Sequence, residues 1–411
     1  MLKTKLLSLL VMLLHLMPAN CSALGVFTHE ATIDAAWDNS LVPLLKKKYP
    51  TATAEELTEA HAYAYGGAVA PDMGYYPRGS QLFTNLVHYV RSGDMVNALL
   101  KEASTLNELA FALGFLSHYE ADHYGHRLAT NITVPMLYPK MQRRHGNNVT
   151  YADDALSHMR MEFGFDVLQL ATGNYASQSY REYIGFKVDT AVLSRAFTAV
   201  YGLNINAVHN QHFHRSVETF RFVVANVLPL VTRQAWAAKK SAIKAADSTA
   251  TSRRFNYKMR QRVYNKNFGT GYKRPGIFPT IFSYFVWILP KVGPLAPLKF
   301  KVPGAAEEHL FVQSFDTILV NFKRHVNNMK TEPPYLQDIN YDTGLPTSLC
   351  NYSLTDETYT ALLQQWNKDG LAEMPAAMKA DILKFYATTN SPPVSKDCNV
   401  FWIALEALRK K

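Results

Sequence analysis

Between Leu109 and Leu116 the chain carries no polar side chain at all. A helix that is apolar on every face belongs in a protein interior rather than on a surface. Thr105 and Glu108, just ahead of this run, stand at the spacing of a capping box, so the pattern predicts a helix starting there. Polar residues return beyond the run in LSHYEADHYGH, where His118, Asp122 and His126 recur at i, i+4 and i+8. Four residues advance a helix by about 400°, so successive members sit about 40° apart and share one face. Two imidazoles and a carboxylate on a buried helix are costly to desolvate unless a charge compensates them, and a bound cation would do so. The same pattern also describes a solvated polar end of a core helix, and alone it does not separate the two.

Other segments follow the same grammar. LGVFTHEATIDAAW places His29 in front of a helix carrying Ile33, Ala36 and Trp37. TAEELTEAHAYAYGGAVAPDMG reads as a capped helix that breaks at Gly66-Gly67 and Pro71 and delivers Asp72 on a loop. By itself Asp72 reads as a turn residue. LFTNLVHYVRSGDMVNALL is a helix that puts His88 near its buried side. NITVPMLYPKMQRRHGNNVT reads as a polar loop. YADDALSHMRMEFGFDVLQLATGN is then a helix with Asp153 and Asp154 in its first turn, Gly173 as its stop, and His158 and Glu162 at i and i+4. That last pair also fits an ordinary surface ion pair. The histidines at 209, 212 and 214 read as a partly exposed helical feature rather than a metal site.

The first residues change the picture of where this chain works. Lys3 and Lys5, the apolar run LLSLLVMLLHLM and the small-residue stretch PANCSA have the layout of an export signal cleaved after Ala23. The run is short for a membrane span. The expected destination is secreted or periplasmic. Pro18, Ala19 and Asn20 make a poor lipobox, which disfavours Cys21 as a lipid anchor. Cleavage leaves Cys350 and Cys398, an isolated pair expected to form a disulfide in an oxidising compartment. The net charge of +10 is spread thinly, without a long basic run. It implies tolerance of anionic surfaces and no specific nucleic-acid partner.

Taken together, THE with His29, GGAVAPD with Asp72, NLVHY with His88, LGFLSHYEADHYGH and SHMRMEFGFDVL resemble the zinc-dependent phospholipase C family, which includes the fungal zinc-dependent single-strand nucleases. The resemblance implies an all-α domain with three zinc ions in a cleft. One ion would take Asp72, His88, His118 and Asp122. A second would take Asp122 as a bridge, His29, and the amine and carbonyl of the first mature residue, Leu24. A third would take His126, His158 and Glu162 and keep a position for water, as catalytic zinc sites do. Signal cleavage after Ala23 independently places a free amine five residues before His29. Two features depart from the family's usual pattern. Leu24 stands where Trp is usual, and the central motif is His-x3-Asp-x3-His, a spacing more like the catalytic domain of glycosylphosphatidylinositol-specific phospholipase D. His123 is an alternative to His126, but it points about 100° away from Asp122 on a helix.

Residues 1–23 are thus expected to be a signal, 24–235 a catalytic domain, and 236–411 a helical extension. The basic, polar stretch from Lys239 to Lys266 marks the boundary. The aromatic, proline-punctuated segment around 277–289 reads as a core helix or as a transient membrane-surface contact. Nothing in the second half suggests chemistry. The implied function is a phosphodiesterase of phospholipase C type acting on phospholipid head groups, with Asp72 as general base and Asp122 and Glu162 as the other catalytic carboxylates. Nuclease or nucleotidase activity, or phospholipase D-type cleavage, could run on the same residues. A non-hydrolytic binding module would have no need of an open zinc position.

Overall fold

Among the described residues the regular structure is helical, and the β-type contact is an isolated antiparallel bridge between Ile339 and Pro346. The all-α expectation holds. The computed structural model describes residues 25–251, 255, 261–269, 293–329, 335–368, 374–387 and 398–410. The principal helices are α1 (Val26–Ala36), α2 (Ala54–Val69), α3 (Gln81–Tyr89), α4 (Ser92–Glu102), α5 (Leu106–Gly125) and α6 (Ala155–Thr172). They continue with α7 (Thr190–Tyr201), α8 (Leu228–Ala246), α9 (Ala305–Asn328), α10 (Ser353–Lys368), α11 (Ala376–Phe385) and α12 (Cys398–Lys410). None is long and apolar enough to cross a membrane.

Helix α5 is the axis of the molecule. Its capping box forms as the sequence predicts: Glu108 N–H donates to Thr105 Oγ1 (3.2 Å), and Thr105 N–H to Glu108 Oε2 (3.3 Å). Every residue from Glu108 to Asp122 is buried. Its most extensive partner is α2, and glycine permits the approach. A Cβ on Gly114 would stand 2.1 Å from Ala64 O, and one on Gly67 2.0 Å from Phe111 O. Any side chain at either position would force the two backbones apart. This corrects the reading of Gly66-Gly67 as a helix break. Both glycines lie inside α2, which runs to Val69, and Asp72 follows in a 3-10 turn, Ala70–Tyr75.

The polar stretch after α5 is not a loop either. The backbone continues through a π-helical turn, His126–Thr130, into helices Asn131–Leu137 and Pro139–His145. Asp153 and Asp154 precede α6 rather than standing in its first turn, and Asp154 caps it, accepting from Ser157 N–H at 2.7 Å. Gly173 ends α6 in the left-handed region, as expected.

The two halves of the chain share one apolar core. It runs from Val26 on α1 through Phe111 and Phe115 on α5 to Phe322 on α9, Leu362 on α10 and Leu405 on α12. Helix α9 packs along α5, and α10 packs against α3. The boundary expected at residue 235 falls within α8. Cys350 does not carry the expected disulfide. It is free and exposed at a turn with φ 66°, its N–H donating to the Asp356 carboxylate. The side chain of Cys398, the leader 1–23, Leu24 and the segment 277–289 lie outside the described residues.

Candidate metal centre

Four helices and two turns deliver the side chains. His29 comes from the first turn of α1, Asp72 from the 3-10 turn, His88 from the last turn of α3, and His118 and Asp122 from α5. His126 opens the π-helical turn, so the helix face established by His118 and Asp122 extends to a third candidate. His158 and Glu162 sit one turn apart on α6. All eight are buried, none more than 6% exposed. They fall into three groups able to hold an ion: His29, His118 and Asp122; Asp72, His88 and His118; and His126, His158 and Glu162. His118 belongs to two of them, and its ring stacks on His29 with centroids 4.3 Å apart. His123 stays outside, stacked on Tyr124. His209 proves fully buried, bonded to Ile205 O, while His214 is exposed.

The spacings argue for cations rather than direct pairing. Nε2 of His88 lies 3.4 Å from Asp72 Oδ1 and 3.5 Å from Asp122 Oδ2, and His29 Nε2 lies 3.5 Å from Asp122 Oδ1. His126 Nε2 is 3.6 Å from Glu162 Oε1 and 3.8 Å from Asp122 Oδ1, and His158 Nδ1 is 3.8 Å from Glu162 Oε1. A charge-assisted hydrogen bond would close these to about 2.7–2.9 Å. Ligands at about 2.0–2.1 Å around a tetrahedral zinc stand roughly 3.3 Å from one another. Only His118 Nε2, 3.1 Å from Asp122 Oδ2, approaches bonding range.

The outward nitrogens settle the tautomers. Nδ1 of His88 faces Thr84 O (2.8 Å), Nδ1 of His118 faces Ala68 O (2.8 Å), and Nε2 of His158 faces Val149 O (2.5 Å). A carbonyl only accepts, so each of these nitrogens carries the proton, and in the neutral ring the other nitrogen presents a lone pair inward. The lone pairs of His88 and His118 then meet at 3.3 Å, an arrangement that needs a cation or proton between them. The atoms left without a hydrogen-bond partner include His29 Nε2, both Asp72 oxygens, His126 Nε2, His158 Nδ1 and both Glu162 oxygens. A cluster of orphaned nitrogen and oxygen donors, all facing one another, fits zinc and its ligand preferences.

Electrostatics agree. Burial pushes the Asp72 carboxyl up, and His118 and His88 only partly reverse it. Burial opposes ionisation of Asp122 too, but His118 and His126 hold it well below the usual carboxylate range. Burial disfavours charge on the rings. Even so, Asp122 and Asp72 push His88 up to about 9, and Asp122 and Asp342 push His126 up to about 10. His29 is lowered by burial and by His118.

Supporting residues hold this arrangement. Thr84 Oγ1 donates to Pro71 O (2.8 Å) and accepts from Gly74 N–H (2.7 Å), clamping the turn that carries Asp72. Asp166 caps α1 from α6: it accepts from Phe27 N–H (3.1 Å), Thr28 N–H (3.0 Å) and Thr28 Oγ1 (2.8 Å). Because of this remote cap, α1 starts before His29 instead of after it. A Cβ at position 25 would stand 2.1 Å from the Asp166 carboxyl carbon, so a side chain there would displace this cap. Asp342, from the second half of the chain, bonds His126 Nδ1 at 2.8 Å. Neither Asp166 nor Asp342 is legible as functional in the sequence. The first looks like one more polar residue on a helix, and the second, in NYDTG, like a surface turn.

A cavity opens onto the cluster between Asp72, His88, Asp122 and His126, walled by Tyr75, Tyr89, Tyr151, Tyr341 and Asp342. Burial holds the Tyr75, Tyr89 and Tyr341 phenols neutral.

A family model described as zinc dependent phospholipase C matches residues 28–227. No curated protein and no solved structure matches the chain.

Proposed function

Residues 28–227 belong to the zinc-dependent phospholipase C family, and from that premise we propose that the chain is a phospholipase C, cleaving phospholipid head-group phosphodiesters with three zinc ions. The observation that carries this reading is the set of three buried ligand groups whose unpartnered atoms face one another beside an open cavity. When bound, zinc supplies Lewis-acid charge for phosphoryl oxygens and a nucleophilic water at neutral pH.

The chain's own residues do the rest. Asp72 Oδ1 faces His88 and His118 while Oδ2 faces His29. One oxygen can serve as a ligand while the other takes the proton of the attacking water. Asp122 turns Oδ2 to His88 and His118 and Oδ1 to His29 and His126, so one side chain holds neighbouring groups in register. Glu162 completes the group formed with His126 and His158. The tyrosine walls offer apolar ring faces and neutral O–H donors to a head group. Export through the leader 1–23 would free the amine of Leu24 as a further ligand beside His29, and the basic surface would tolerate an anionic membrane during transient contact.

The test is product analysis of the zinc-loaded mature protein on phosphatidylcholine, phosphatidylinositol and single-stranded DNA. Diacylglycerol with a phosphorylated head group supports the proposal. Phosphatidic acid would assign D-type cleavage, and nucleotide products without diacylglycerol would assign a nuclease.

A further inference from the structure

We propose that Asp342 is a positioning residue for the His126–His158–Glu162 group, so that a segment outside the family-matched residues completes the metal centre. Its Oδ1 lies 2.8 Å from His126 Nδ1. Its Oδ2 accepts from Tyr151 N–H at 2.8 Å and from the Tyr352 hydroxyl at 2.8 Å. Both oxygens are thus engaged, and the residue is 2% exposed. The backbone around it is equally tied down. Asn340 Oδ1 accepts from Asp342 N–H (2.9 Å) and Thr343 N–H (3.1 Å), Asn131 Nδ2 donates to Asp342 O (2.9 Å), and Tyr341 N–H donates to His88 O (3.2 Å).

A carboxylate oxygen has no proton to give, so the proton of the His126–Asp342 contact sits on Nδ1, and in the neutral ring the Nε2 lone pair faces Glu162 and Asp122. His88, His118 and His158 achieve the same end with backbone carbonyls. Among the four, His126 alone uses a carboxylate. Each of the three groups contains one carboxylate: Asp122, Asp72 or Glu162. A carboxylate behind the His126 imidazole makes it a stronger donor and adds negative charge without using a coordination position.

This inference rests on the zinc reading above, and its test separates the two. The full chain is stripped, reloaded with zinc, and titrated against a competing chelator, with zinc content measured by elemental analysis. Asp342→Asn is expected to weaken one ion by about 10–100-fold and to leave the tighter ions unchanged. Tyr352→Phe removes a bond from the same carboxylate but not the one to His126, and is expected to keep wild-type zinc affinity. Unchanged zinc affinity in Asp342→Asn, or an equal loss in Tyr352→Phe, would overturn the proposal. Should Asp342→Asn fail to fold, nitrogen NMR of the zinc-loaded wild type decides. A His126 protonated at Nδ1 and coordinated through Nε2 upholds it, and coordination through Nδ1 overturns it. A wild type that binds zinc as described but spares phospholipids would sink the proposed function and leave this inference standing.

Discussion

At the scale of single residues, the centre depends on carboxylates with two jobs. Asp122 faces four histidines, with separations of 3.1 to 3.8 Å. Removing it withdraws a donor from more than one group and leaves the imidazoles to repel one another. Asp122→Ala is therefore expected to lose more than one zinc per chain and all hydrolysis, and full zinc content by elemental analysis would contradict the bridging role. Asp166 acts at one remove. It satisfies two backbone N–H groups of α1 that no neighbouring residue in sequence supplies with a cap. Asp166→Ala should cost roughly 2 kcal/mol, combining a lost cap with buried donors left unpaired. It should also loosen His29, seen as weaker zinc binding. Urea unfolding of the metal-free protein measures the first effect, and chelator titration the second.

At the scale of elements, α5 is held at its start and used at its end. Glu108 accepts from Ser104 N–H (2.8 Å), Ser104 Oγ (2.7 Å) and Thr105 N–H, and its other oxygen accepts from Arg195 on α7 at 2.7 Å. Burial alone would push this carboxyl up, but the Arg195 and Ser104 bonds overcome it and hold it down at about 2. A carboxyl lowered on folding contributes stability that is present above its unfolded value, about 4.5, and is lost as pH falls towards 2. Glu108→Gln should cost roughly 1–2 kcal/mol at pH 7, with the gap to wild type narrowing between pH 4.5 and 2. Denaturant midpoints measured at pH 7, 4 and 3 check both the size and the sign. A gap that widened on acidification would refute the assignment.

At the scale of the whole molecule, the second half is attached by packing. Helix α9 lies along α5, α10 lies on α3, and the loop between them reaches the candidate metal centre through Tyr341 and Asp342. Since Cys350 is free and exposed, no disulfide through it adds to that attachment. The Cys350 thiol of folded, unreduced protein should react promptly with a thiol reagent, and reductant should leave the melting temperature unchanged. A thiol that appears only after reduction would restore the covalent clamp.

What was legible in the sequence is what depends on local spacing. The capping box at Thr105 and Glu108, the buried run to Leu116 and the shared face of His118, Asp122 and His126 follow from a period of about 3.6 residues, which one strand of text carries in full. His158 and Glu162 share a helix turn by the same rule, and family resemblance supplied His29, Asp72 and His88. Tertiary structure decided everything that joins distant positions. Gly66 and Gly67 are packing contacts inside a helix because Lys187 O and Phe111 O stand where their side chains would be. The start of α1 is set by a carboxylate 138 residues further on. The polar stretch after His126 is helical because Val134 and Ala129 have a core to enter. His126 is oriented by Asp342, 216 positions away, whose own neighbourhood spells only a turn. Helix period acts between neighbours in the chain, whereas desolvation, capping and hydrogen bonding act between whatever the fold brings within a few ångströms.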